Sequence, residues 1–104
     1  MANRKQVLIA DDMEQNRRAI KTFLFFLHFD ATLAEDGLIA KKILETNKFD
    51  LIVSDIEMPN MNGFELLAHV KKTSGLKETP VIMLSTLDSP EVMERCQKLG
   101  AGYI

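Results

Sequence analysis

The run Asp50-Leu51-Ile52-Val53-Ser54-Asp55-Ile56-Glu57-Met58-Pro59-Asn60-Met61-Asn62-Gly63 decides how this chain folds. Leu51 to Val53 is a short apolar run with the length of a buried strand. It ends on an acid, Asp55. Pro59, Asn60, Asn62 and Gly63 mark a tight loop rather than more sheet. Phe64, Leu67 and Ala68 then recur at helical spacing. A carboxylate therefore stands where a strand stops and a loop leads into a helix. In open α/β sheets that carboxyl end is where ligands bind. A solvated turn aspartate would have the same local sequence, so the rest of the chain has to decide.

Working outward, the pattern repeats. Val7-Leu8-Ile9-Ala10 reads as a strand that stops at Asp11-Asp12. A helix from about Glu14 to Leu27 follows, with Ile20, Phe23, Leu24 and Leu27 as its buried stripe. Phe25 and Phe26 lie off that stripe. Asp30 to Ala34 is a second strand. Asp36-Gly37 turns into a second helix with Ala40, Ile43 and Leu44 facing inward. After the Phe64 helix, Ser74-Gly75 closes and Thr79-Pro80 opens a strand from Val81 to Leu84. Ser89-Pro90 reads as an N-cap followed by proline at the first helical position. That helix runs to about Leu99 and ends at Gly100. Tyr103-Ile104 begins a fifth strand. Strand and helix alternate, connections are short, and the strands are apolar runs without period-two alternation. That combination predicts a parallel α/β sheet with helices on both faces.

The 104 residues leave room for one small domain, and a 46% apolar content supports a real core. A net charge of −2 gives no electrostatic reason to expect direct nucleic-acid binding. The one cysteine, Cys96, falls on a helix with Val92 and Leu99 and reads as a core thiol. No apolar run approaches the length of a membrane span, and the N-terminus lacks the pattern of a signal peptide. A reducing, cytoplasmic setting fits.

In such a sheet all carboxyl ends lie on one edge. That edge is expected to collect Asp11 and Asp12, Asp55, and Ser85 with Thr86. Crowded carboxylates repel and raise one another's pKa, which a bound cation relieves. Oxygen donors without clustered His or Cys favour a hard ion, most simply Mg²⁺. His28 and His69 are placed on helices, away from this edge. A nucleotide site of the glycine-rich kind is excluded, because acids occupy the turn after the first strand. A carboxylate beside a metal can instead attack a phosphoryl donor, and the Ser85 hydroxyl can donate to a phosphoryl oxygen.

With these residues in view, the chain resembles the receiver domain of bacterial two-component response regulators, of the chemotaxis-regulator type. The resemblance rests on Asp11-Asp12, on D-x-x-M-P-x-M-x-G from Asp55 to Gly63, on Ser85 after the fourth strand, and on Gly100-Ala101 before Tyr103. It implies a flavodoxin-like, three-layer, doubly wound parallel sheet of order 2-1-3-4-5. Helix one would share its face with a fifth helix. It implies that Asp55 is the phosphoacceptor and Asp12 a direct Mg²⁺ ligand, with Asp11 acting directly or through water. The backbone carbonyl of Glu57 would be a further ligand, and Ser85 and Tyr103 the switch pair. It implies a histidine kinase or histidine phosphotransfer protein as donor. The turn between Gly100 and Tyr103 is one residue shorter than the family's usual one, and Thr86 stands where a small residue is common.

The family's strand-five lysine and fifth helix would fall beyond Ile104. Residues 1–104 are therefore expected to be a C-terminally incomplete receiver domain. Its uncovered face would include side chains from strands one, three and four together with Phe26, and would favour self-association. The expected function is a phosphoacceptor signalling module, not an enzyme beyond its own phosphorylation and dephosphorylation. Two other readings stay open. One is a pseudo-receiver that binds partners without phosphorylation. The other is a Mg²⁺-dependent aspartyl-phosphate phosphatase, which Glu57 disfavours, since it stands where that chemistry usually has a second Asp.

Overall fold

A computed structural model describes residues 4–84 and 90–103. The elements follow in the order β1 (Lys5–Ala10), α1 (Glu14–Phe25), β2 (Phe29–Ala34), α2 (Gly37–Thr46), β3 (Leu51–Asp55), α3 (Gly63–Lys72), β4 (Val81–Leu84), α4 (Pro90–Lys98) and β5 (Gly102–Tyr103). The strands form one sheet in the order β2-β1-β3-β4-β5. Every pairing is parallel. This is the doubly wound α/β architecture that the alternation of strands and helices predicts.

Two hydrophobic clusters lie on opposite faces of the sheet. Successive residues of a strand point to opposite sides. Leu8, Ile52 and Met83 accordingly join Leu44, Leu67, Val70 and Cys96 under α2, α3 and α4. Val7, Ile9 and Val53 join Leu24 of α1 on the other side. Val7, Leu8 and Ile9 are all fully buried, which is why β1 reads as an unbroken apolar run. Cys96 is buried in the larger cluster, as a core thiol.

Three expectations need correction. First, α1 ends at Phe25, and Leu24 is its buried residue. Phe23 and Leu27, expected in the stripe, are 65% and 53% exposed. Phe23 lies about 100° around the helix from Leu24, so it sits on the flank of the contact with the sheet. Second, His28 is not helical. It takes a left-handed φ of 69° in the turn between α1 and β2. Third, the first strand is not uncovered. Val7 and Ile9 are fully buried and Val53 nearly so, because α1 lies over them. Phe26 is 74% exposed, as expected. Among the described residues, no helix is long and apolar enough to cross a membrane.

Candidate functional site

Register places the acids. β1 and β3 run level, with Ala10 opposite Ser54. The residue after each pair member is an aspartate, so Asp11 and Asp55 emerge side by side. Asp12 follows directly. One carboxylate oxygen from each of Asp11, Asp12 and Asp55 lies within 4.8 Å of the others. The three thus come together as the edge argument requires. Leu84 stands opposite Asp55 at the end of β4. Ser85 and Thr86, expected on this edge, lie outside the described residues. Tyr103 lies in β5, paired with Met83. Glu57 is exposed in the loop after β3, and His69 lies in α3.

Local hydrogen bonds fix each acid. Asp11 is buried, and its Oδ1 accepts the Met13 N–H at 2.9 Å. That bond serves an amide at the start of α1, where Met13 has no side chain able to cap the helix. The Arg17 guanidinium donates to the Asp11 carbonyl oxygen at 2.7 Å, tying α1 back to the end of β1. Asp12 is exposed. Asp55 is half-buried, and its Oδ1 accepts the Ile56 N–H at 2.8 Å.

The Asp55 carboxyl is pushed up to about 6, first by burial and then by the charges of Asp11 and Asp12, against the pull of the Ile56 and Glu57 amides. Sequence reasoning expected mutual repulsion to raise these acids. For Asp55, lost hydration is the larger cause. Three carboxylates at this spacing are a donor set for a hard cation, and no His or Cys joins them in the cluster.

The loop from Ile56 to Asn62 is held at its end by α3. Asn62 accepts the Glu65 N–H, and Glu65 accepts the Asn62 N–H, which is a complete capping box. A Cβ at Gly63 would collide with the Asp55 carbonyl oxygen and come within 2.6 Å of the Met83 methyl. The motif therefore closes on glycine because α3 starts directly against the end of β3. Beyond the loop, a cleft toward α4 is lined by Asp12, Glu57, Met58, Phe64 and Arg95. The Arg95 guanidinium lies over the Phe64 ring at 4.0 Å, a cation–π contact. Sequence reasoning did not single out Arg17 or Arg95; each sits on a helix face that only the fold directs at this edge.

The family model for the response regulator receiver domain matches residues 7–104. This chain belongs to that family. The chemotaxis protein CheY-3 of Vibrio cholerae is 38% identical over 101 residues, covering 95% of this chain and 78% of that protein. The solved receiver domain of Francisella response regulator 1452 is 39% identical. Its TM-score is 0.88, and the match covers 96% of this chain and 82% of that one. A phosphorylated cyanobacterial phytochrome response regulator, RcpA, is 26% identical with a TM-score of 0.89, covering 97% of this chain and 79% of that one. As a receiver domain, the chain is a signalling module of two-component systems rather than a conventional enzyme, and its sheet order is the one that the resemblance implies.

Proposed function

We propose that this receiver domain is a phosphoacceptor. Asp55 takes a phosphoryl group from the phosphohistidine of a histidine kinase or a histidine phosphotransfer protein. The observation that carries this reading is the convergence of Asp11, Asp12 and Asp55 at one strand edge. Phosphorylation of the RcpA neighbour supports it.

Asp12 and Asp55 would hold Mg²⁺, with Asp11 acting directly or through water, and the Glu57 carbonyl would complete the protein's share of ligands. When bound, Mg²⁺ offsets the charge that would otherwise repel a phosphoryl donor. With its carboxyl at about 6, Asp55 is mostly ionised at neutral pH and nucleophilic. A carboxylate oxygen of Asp55 attacks phosphorus, the P–N bond to the imidazole breaks, and its electron pair returns to the ring, which takes up a proton. Ser85 donates to the transferred group and Tyr103 changes rotamer with it, biasing a partner-binding surface. The setting is cytoplasmic, and residues 1–104 belong to one receiver domain.

The exposed side chains at the end of α1, Phe23, Phe25, Phe26 and Leu27, are the surface offered to the protein donor or to a second copy of this chain. Arg4 holds Phe25 in place, its guanidinium 4.5 Å from the ring centroid.

Acetyl phosphate with Mg²⁺ yields one acid-stable, alkali-labile acyl phosphate per chain, mapped to Asp55. Label at wild-type stoichiometry in Asp55→Asn sinks the assignment. Phe25→Ala slows transfer from a phosphohistidine donor and spares transfer from acetyl phosphate. Equal slowing from both donors points to misfolding instead of docking.

A further inference from the structure

The loop that follows Asp55 is fastened a second time, far from its own helix. Asn60 Nδ2 donates to Asp36 Oδ2 at 2.7 Å. The other oxygen of Asp36 accepts the Ile39 N–H at 2.8 Å and caps α2. Beside this pair, the Gly37 N–H donates to the Met61 carbonyl at 3.1 Å. The approach is so close that a Cβ at Gly37 would collide with that carbonyl oxygen. Asp36 is buried, and its carboxyl is held below the usual range by these amides, the Ile39 N–H first.

An ionised carboxylate only accepts, so Asn60 must turn its amide nitrogen toward Asp36. Asn60 itself sits at a φ of 68°, a left-handed conformation that a short polar side chain tolerates when it is bonded locally. At its other end the loop returns to the strand, with the Gly63 N–H on the Ile56 carbonyl at 2.8 Å. Of the two amides that act on Asp55, that of Glu57 lies between these fastenings and that of Ile56 directly adjoins the second.

We infer that Asp36 and Asn60 form a latch between α2 and the loop after β3, and are positioning residues for the Asp55 carboxylate. The latch fixes the loop shape that aims the Ile56 N–H at Asp55, and so ties the N-terminus of α2 to the acid cluster. The inference rests on the reading of that cluster as the phosphoacceptor and cation site. Supporting contacts of this kind tune a site without touching the ion.

Backbone NMR on the whole chain tests it, first free of metal and then titrated with Mg²⁺. Asn60→Asp sets a second carboxylate against Asp36. We expect the Ile56 and Glu57 amide resonances to move and Mg²⁺ affinity to fall about tenfold, with the fold retained. The reversed pair, Asp36→Asn with Asn60→Asp, restores one amide–carboxylate bond in the opposite sense and keeps an oxygen for the α2 cap. It recovers most of both effects. Asn60→Gly keeps the left-handed backbone and removes only the side-chain bond, so it moves the same amides without demanding a new fold. The latch is overturned if Ile56 and Glu57 stay unmoved in Asn60→Gly, or if the reversed pair binds Mg²⁺ as poorly as the single variant. A wild-type chain that shows no Mg²⁺ response defeats the reading of the cluster instead. The metal-free amide shifts then decide the latch alone.

Discussion

The Asp55 carboxylate has exchanged part of its water for the end of a sheet, with the Ile56 N–H at 2.8 Å as its hydrogen bond in return. Its carboxyl therefore rises from 3.8 to about 6, and the neutral form is favoured in the fold. The native state binds the extra proton, so this contribution to stability is full below the ordinary carboxylate range and is lost as pH rises through about 6. In metal-free protein at pH 7.5, Asp55→Asn should thus stabilise the chain by about 1–2 kcal/mol, the shift being discounted for partial exposure to solvent. Thermal melts in chelator would show the gain at pH 7.5 and its disappearance near pH 4. A variant no more stable than wild type at pH 7.5 contradicts the burial argument. Asp11, Asp12 and Asp55 were legible as a cluster because each stands at or just beyond the end of a strand, and parallel strands end together. The bond from Asn60 to Asp36 was not, because it joins residues 24 apart in sequence through a loop shape that no periodicity encodes.

Helix α1 shows where element-scale reading loses resolution. Its apolar spacing placed Phe23 and Leu24 in one stripe, yet Leu24 is buried and Phe23 is not. Spacing defines a broad arc of the helix, and the sheet beneath decides which part of that arc it covers. Leu24→Ala should cost about 2–5 kcal/mol, a core truncation, whereas Phe23→Ala should stay within about 0.5 kcal/mol. Chemical denaturation of both variants measures the contrast, and equal losses would mean that Phe23 is packed. The start of helix α3 was more legible, since Asn62 and Gly63 mark the loop that leads into it. There, Gly63→Ala gains helix propensity of about 1 kcal/mol. The added methyl meets backbone at the end of β3, and backbone cannot step aside as a side-chain tip can. Overpacking of that kind costs about 1–3 kcal/mol or more, so the variant should unfold at lower denaturant. Its phosphorylation should fall as well, because the displaced atom is the carbonyl of Asp55 itself.

For the whole molecule, the sheet order was implied by the resemblance and is found, because alternating short connections leave few ways to wind a parallel sheet. The same winding makes the acid cluster a global property. Its members come from the turn after β1 and from the end of β3, so an ion held by Asp11, Asp12 and Asp55 joins segments that separate on unfolding. Mg²⁺ at ten times its dissociation constant should then stabilise the folded chain by about 1.4 kcal/mol. For a domain of this size that raises the melting temperature by about 6 °C. Protons compete for the same oxygens. With the Asp55 carboxyl at about 6 in the metal-free protein, roughly one chain in ten is ionised there at pH 5. The same Mg²⁺ concentration should then add only about 0.4 kcal/mol. Melts at pH 7.5 and pH 5, with and without Mg²⁺, measure both numbers, and Asp12→Ala serves as the control that abolishes the shift. A stabilisation of equal size at both pH values, or one that persists in Asp12→Ala, would place the ion elsewhere on the protein and leave the three carboxylates without it.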